Sequence, residues 1–390
     1  VICLTHNLTD RQTDRQTDRR KSGIELLKIF GIILIVISHV VQTVESQNTL
    51  ISYQDYVIPL SNATENVQLL IMSILRYSGA LGNTIFFVCS AWFLVGREKK
   101  GTQKAFSLLI DIWIISVIYF AIVFCLRQGD LPIKMIIKQF LPTTFANNWY
   151  MTCYIIFLLA YPLLNIVINA VSQKQLLRIV AVTSFLWIIS DFIKGDLFFP
   201  SSIILWCTIY FIIAYVKIYM PGFQNNTKIN LILLVVGVIG YIGEVLVTNA
   251  LGLHISFFAE KLLRWNTNCN PFGIIFSIGA LNLFRRMNFK SSLINYISSL
   301  SMLIYLIHEN ILFRTYYRPA IWQWIYINLG YDKILLYTSI YVILLFIIAA
   351  VISAVYKETI QKFVYRLSNC MYNAFSKIWQ TIEKVVLNIK

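Results

Sequence analysis

The sequence predicts an all-α fold, a polytopic transmembrane helical bundle of about ten spans. Three observations predict it. Of 390 residues, 58% are hydrophobic and 13% charged, against about 45–50% and about 25% in a soluble domain. Mean hydropathy is +0.68. The apolar residues also fall in blocks near the length that crosses a bilayer, about 20 residues. Too few charges remain to cover a globule of this size, which excludes a soluble enzyme, a secreted disulfide scaffold and a disordered chain.

Taken in order, the chain begins with a segment, 1–22, unlike the rest. Thr9 to Arg20 reads TDRQ-TDRQ-TDRR, a polar repeat without apolar period, expected to be disordered. It opens on Val1, its first methionine is Met72, and the repeat reads as a start-site artefact rather than a functional segment. No signal peptide is expected, because the next apolar block continues at spanning length without a small-residue cleavage site. The spans are expected at 24–44, 72–96, 106–126, 149–171, 176–193, 201–219, 229–251, 270–284, 297–313 and 334–356 by hydropathy. The eighth and ninth are short, and the fifth is interrupted near Asp191. The stretch 133–147, IKMIIKQFLPTTFAN, is too short and polar to span and is expected along the interface. A core of 23–356 is followed by 357–390, where Ile360, Phe363, Val364, Leu367, Met371, Phe375, Ile378 and Ile382 recur at helical spacing opposite lysines. That pattern predicts a basic amphipathic helix on the bilayer surface.

The formal charge of +15 points to the membrane rather than to nucleic acid, because the basic residues sit in short loops and tails, not in one aromatic-interleaved patch. With ten spans both termini share a side, and most of the 33 Lys and Arg lie on it. Both termini are therefore expected in the cytoplasm, with the chain multi-pass in the plasma membrane. The seven cysteines show no CxxC or Cys/His spacing, so neither a disulfide framework nor a metal site is expected. Asn7, Asn62 and Asn225 begin N-x-Ser/Thr triplets, a pattern too common to weigh.

Ionisable groups inside spans are costly and point to function. In KIFGIILIVISH, ten residues separate Lys28 from His39. Eleven helical steps place His39 about 16 Å along the axis, near the same face. Lys28 then sits at the cytoplasmic rim and His39 in the outer half, where a neutral imidazole can take a proton from an alcohol. The competing reading is a histidine merely bonded to a neighbouring helix and a snorkelling lysine. His308 and Glu309 close the ninth span, either as acceptor-side groups that orient His39 or as a polar cap. Trp149 and Tyr150 open the fourth span, either as an aromatic belt or as a platform for a sugar ring. His6 and His254 are read as incidental.

The Lys28-x10-His39 pattern, preceded by GIELL, resembles the first span of the acyltransferase 3 family. GALGNTIFFVCSAWFLVG (79–96) resembles that family's Phe-Phe, Ser-Gly-Tyr motif, with Phe86, Phe87 and Ser90 in place and Ala91 and Trp92 replacing Gly and Tyr. NWYMTCYIIFLLAYPLLN (148–165), NPFGIIFSIGALNLFRR (270–286) and ISSLSMLIYLIHEN (297–310) resemble its later spans in order. One departure is at the third span, where Lys104 is followed by Asp111 in place of a second basic residue.

The resemblance implies an enzyme that moves an acyl group, often acetyl, from a cytoplasmic acyl-CoA co-substrate to a hydroxyl of a cell-surface or exported carbohydrate, with no bound cofactor. His39 would be the general base or carry an acyl-imidazole, with Lys28 as the other member of the catalytic pair at the cytoplasmic rim. Arg97, Lys99, Lys100, Arg285, Arg286 and Lys290 offer cations to the donor phosphates. The competing class is a transporter or flippase of a lipid-linked sugar or small solute. Against it, the halves show no repeat, and mid-span charges are few: Asp111, Glu244 and the Lys28/His39 pair. A glycan polymerase is disfavoured by the arginine-poor outer loops at 45–71 and 127–148. No protein partner is indicated.

Overall fold

The computed structural model describes residues 21–42, 45–46, 49–50, 63–97, 101–127, 129–189, 201–265, 270–330 and 332–388. The polar repeat, Lys99, Lys100 and Asp191 lie outside them. The described chain is helical apart from its connections and one small hairpin. Helices α1 (Gly23–Val41) and α2 (Ala63–Leu94) are joined through that hairpin, in which β1 (Glu45–Ser46) pairs antiparallel with β2 (Thr49–Leu50). Then come α3 (Gly101–Leu126), α4 (Ile133–Phe140), α5 (Trp149–Ala170), α6 (Gln173–Trp187), α7 (Ser201–Tyr219), α8 (Pro221–Asn225) and α9 (Thr227–Gly252). The last group is α10 (Ser256–Trp265), α11 (Pro271–Phe284), α12 (Ser292–Ser299), α13 (Ser301–His308), α14 (Arg318–Leu329), α15 (Ile334–Thr359) and α16 (Gln361–Asn388).

The chain is an integral membrane protein of the expected class. Among the described residues, six helices are long and apolar enough to cross: α1, α2 from Val67, α3, α5, α9 and α15. The other expected spans correspond to shorter pieces, α6, α7, α11 and the α12/α13 pair. The ninth is not one continuous helix. Its ISSLS run carries hydroxyls that compete for backbone carbonyls. Ser299 Oγ donates to Tyr296 O at 2.5 Å, and Leu300 N is shared between Ile297 and Ser298 carbonyls, so the chain turns between α12 and α13. Sequence periodicity also missed α14, which continues without a break from a π-helical turn at Phe313–Tyr317; Pro319 has no N–H to donate back into that turn, where the helix is locally widened.

Helix α1 runs through the middle of the bundle and touches α2, α11, α12, α13 and α15. Its tightest partner is α2, because small residues let the two backbones approach. A Cβ on Gly82 would lie 2.4 Å from Gly31 O, and one on Gly79 would lie 2.7 Å from Ser38 Oγ. Helix α2 ends at Leu94 and Gly96 follows at φ +80°, the left-handed conformation that closes a helix C-terminus. The start of α1 is fixed from below: Ser22 Oγ donates to Asn295 Oδ1 at 2.9 Å, and Ser22 N donates to Phe289 O at 3.0 Å. This end, with the starts of α1 and α3 and the end of α15, is the terminal face. His39 lies toward the opposite face.

Both stretches expected along the interface contain helices. Helix α4 is a two-turn amphipathic piece with exposed Ile133, Ile137 and Phe140. Helix α16 follows α15 after one residue and crosses the first turns of α3, where Phe106 and Phe375 meet at 5.7 Å and Gln103 donates to Asn369.

Candidate active site

His39 occupies the last turn of α1, and both of its neighbours are tied down. Ser38 Oγ donates to Arg76 O in α2, and Val40 O accepts the Trp322 indole N–H from α14 at 2.8 Å. The imidazole therefore has little freedom. Facing it is the end of α13, where the helix stops at His308 and Glu309. Tyr119 of α3 donates to Ile307 O at 2.7 Å and holds that end in place.

The two histidines and the glutamate form one hydrogen-bonded chain. His308 Nδ1 lies 2.6 Å from Ile304 O. A carbonyl only accepts, so His308 carries its proton on Nδ1 and offers Nε2 as an acceptor. His39 Nδ1 stands 2.9 Å from that Nε2 and 3.1 Å from Glu309 Oε2. Both neighbours accept, so the proton of neutral His39 belongs on Nδ1. The Nε2 lone pair is then left for a reacting group. This tautomer follows from the network rather than from observed hydrogens.

Glu309 is held by two cations. Arg314 Nη1 donates to Oε1 at 2.9 Å, and Arg318 Nη2 donates to Oε2 at 2.6 Å and to His308 O at 2.9 Å. Arg318 is fully buried, whereas Arg314 is about one-third exposed (37%). Arg314 lies within a single π-helical turn, Phe313–Tyr317, and Arg318 directly follows it, and both guanidinium groups reach the same carboxylate. Tyr305 completes the floor, with its ring centroid 6.0 Å from that of His39 and 5.9 Å from that of His308.

His39, His308 and Glu309 also place three potential metal-ligand atoms within 4.8 Å of one another. The donor set suits a proton chain better than an ion. Two ligands of one tetrahedral ion, each at about 2.0–2.1 Å, stand roughly 3.3 Å apart, while the histidine nitrogens are 2.9 Å apart. Both Glu309 oxygens are already committed to arginines.

The other sequence-derived candidates fall in two places. Tyr150 is buried, not a surface belt residue. Its ring stands 6.0 Å from Tyr305 and 5.0 Å from Trp206, so it extends the floor of the His39 site inward. Trp149 packs edge-on against it at 5.7 Å. Lys28 lies at the terminal end of α1, paired with Glu25 at 3.1 Å and 5.3 Å from the centroid of the Phe93 ring. Glu25 also accepts from Ser298 at 2.5 Å. Close by, Lys104 donates to Tyr154 OH at 3.2 Å, and that hydroxyl lies 3.4 Å from Ser90 Oγ.

The remaining cations line the terminal face. Arg97 is exposed, and its carbonyl is held by Asn165 at 2.9 Å. Arg285 lies over the Trp92 ring at 5.1 Å and donates to Asn225 Oδ1, while Arg286 donates to Asn225 O and Thr227 Oγ1. Lys217 joins them, 5.4 Å from the centroid of the same indole and bonded to the carbonyls of Trp92 and Val95. Asp111, which breaks the expected basic pair, accepts from Tyr356 OH at 2.9 Å and ties α3 to α15.

Sequence reasoning missed Arg314, Arg318 and Trp322, which fall between the ninth and tenth expected spans, and Glu25, quoted only within GIELL. Glu25 stands three residues before Lys28, a spacing that pairs charges on a helix. Arg76 was also missed, a buried arginine in α2 beside Ser38. As an ionisable residue inside an expected span it was detectable. The i,i+4 spacing of Arg314 and Arg318 places two cations near one helix face, whereas their common partner Glu309 lies across the helix break at Asn310 and is not marked by spacing.

Against known families, the acyltransferase 3 model, described as an acyltransferase domain, matches residues 21–357. Among curated proteins and solved structures, none matches the chain significantly.

Proposed function

Given that this chain belongs to the acyltransferase 3 family and is a membrane acyltransferase of the O-acyltransferase type, we propose that it transfers an acyl group, acetyl in the simplest case, from acyl-CoA to a hydroxyl of an exported or cell-surface carbohydrate. The terminal face is the cytoplasmic, donor-binding side of the plasma membrane, and the His39 end receives the acceptor. The observation that carries the reading is the chain from His39 through His308 and Glu309, which leaves His39 Nε2 as a base at the far end of the span from Lys28.

The step proceeds as follows. His39 Nε2 takes the acceptor hydroxyl proton as that oxygen attacks the thioester carbonyl. The imidazolium is stabilised by Glu309 across Nδ1–H, and Arg314 and Arg318 keep the carboxylate ionised and aimed. Collapse of the tetrahedral adduct breaks the C–S bond, and the departing thiolate recovers the proton from His39. Arg97, Lys217 and Arg285, with Lys28 and Lys104 further in, supply positive charge for the donor's phosphates and for its path between helices. Lys99 and Lys100 precede α3 and fit the same role by position. Tyr150 and Trp149 line the route on the acceptor side.

The test is acyl-CoA consumption and acyl transfer by purified protein in nanodiscs, wild type against His39→Ala. Loss of both in a monodisperse mutant supports His39 as the centre. Unchanged consumption moves the centre elsewhere, and none from wild type with any short-chain donor and a glycan mixture overturns the donor assignment. Withholding acceptor then separates the routes, since an acyl-imidazole leaves label on His39 and general-base catalysis leaves none.

A further inference from the structure

Helix α16 presents a surface that the proposed chemistry does not use. It spans 28 residues, Gln361–Asn388, or about 42 Å at helical rise. Only part of its apolar side is covered. Val364 and Ser368 are fully buried, whereas Phe363 is 59%, Ile378 61% and Ile382 46% exposed. Lys362, Arg366 and Lys377 are exposed along the neighbouring strip of the helix. From residue 357 onward the chain carries six basic residues, Lys357, Lys362, Arg366, Lys377, Lys384 and Lys390, against Glu358 and Glu383.

An exposed apolar strip beside a cationic one fits a bilayer surface that carries negative charge. Three features of the structure choose that occupant over a soluble partner. Helix α16 is separated from the spanning helix α15 by Ile360 alone, so it begins at the membrane boundary. The junction is anchored, with Lys357 Nζ donating to Ser299 Oγ at 2.7 Å and Tyr296 OH donating to Glu358 at 3.3 Å. The helix then crosses α3 through the Gln103–Asn369 and Phe106–Phe375 contacts, which keep it beside the bundle.

We propose that α16 is an anionic-lipid-binding element: Phe363, Ile378 and Ile382 enter the leaflet at the terminal face, while Lys362, Arg366 and Lys377 bind acidic headgroups, clamping the first turns of α3. The surface selects lipid by charge and is not merely wetted by whichever lipid surrounds the protein.

Cys370 reports on this directly, being exposed on α16 and placed by spacing between the basic and apolar strips. The full-length protein, with its other cysteines replaced by serine, is labelled there with a fluorophore and placed in mixed phosphatidylcholine and phosphatidylglycerol nanodiscs. Brominated phosphatidylglycerol is expected to quench the label more than brominated phosphatidylcholine at equal mole fraction. The excess should vanish in high salt. Neutralising two charges by Lys362→Gln with Lys377→Gln lowers the preference roughly 30-fold, at the usual strength of a basic side chain on an acidic leaflet. Equal quenching by the two lipids overturns charge selection. No quenching by either places another occupant, such as a second copy, on this face and overturns the proposal outright. The readout needs no turnover, so it stands or falls separately from the acyltransferase mechanism.

Discussion

Replacing Glu309 by glutamine is the sharpest perturbation of the proposed mechanism, because it keeps the shape of the side chain and removes its charge. In the wild type the carboxylate lies 3.1 Å from His39 Nδ1. An imidazolium and a carboxylate at that separation attract by about 5 kcal/mol at an effective dielectric of about 20. Neutral His39 in the ground state does not feel that attraction, so it acts mainly on the protonated form that develops during transfer. At about 1.4 kcal/mol per tenfold, it caps the loss near 10⁴-fold. A glutamine oxygen still accepts the Nδ1–H bond and recovers part of this, so Glu309→Gln should lower kcat by roughly 10²–10³-fold, within the range of general acid–base effects. Donor KM should change little, because the terminal-face cations are untouched. The assay is acyl transfer in nanodiscs at saturating donor, on protein verified as monodisperse, since fully buried Arg318 loses its counter-ion and breaking such a pair costs about 3–5 kcal/mol. The more exposed Arg314→Gln provides a milder companion, with a smaller fall in kcat and little loss of stability. A folded Glu309→Gln enzyme within a few-fold of wild-type kcat, or one changed only in donor KM, would refute the proton chain.

Other perturbations separate the remaining parts. Lys217→Gln with Arg285→Gln should raise donor KM several-fold with kcat nearly unchanged, measured by varying acyl-CoA at fixed acceptor, because both cations sit over Trp92 far from His39. Trp322→Phe keeps the ring but strands the Val40 carbonyl, so it should cost about 1–3 kcal/mol locally and lower kcat with little effect on donor KM. Gly82→Ala pushes a methyl into the Gly31 carbonyl and should reduce thermal stability by about 1–3 kcal/mol, read as a lower Tm in detergent.

The legible part of this protein was set by long apolar periods and by the scarcity of charge within them. Helices α1, α3, α5, α9 and α15 follow directly from blocks of spanning length, and His39 drew notice because an ionisable group inside such a block is costly. The same rule falters where a helix is short or broken. In the ninth block, serine hydroxyls divert backbone carbonyls and split the segment into α12 and α13, which hydropathy averaging cannot register. Helix α14 carries too little continuous apolar length to register as a span. Its role depends instead on single contacts, such as the Trp322 indole on Val40 O. Tyr150 was placed at the correct end of its helix, yet its burial depends on Trp206 and Tyr305, which lie more than fifty residues away in sequence.

The missed arginines explain why the two histidines and Glu309 can share so dry a place. Three polar side chains where the end of α1 meets the end of α13 would be costly to bury without compensation. Arg318 answers both the carboxylate and the His308 carbonyl, and Arg314 answers the second carboxylate oxygen. Two cations on one anion leave an excess positive charge beside His39. The two guanidinium groups fix the carboxylate that holds His39 Nδ1–H, which leaves Nε2 available as a base. In the reaction the excess positive charge favours the oxyanion that forms on the thioester carbonyl. The same pair of arginines thus supports the base before attack and the adduct after it. For that reason the chemistry cannot be assigned to the Lys28–His39 span alone: the span supplies the imidazole, and the segment from His308 to Arg318 sets its proton and its field.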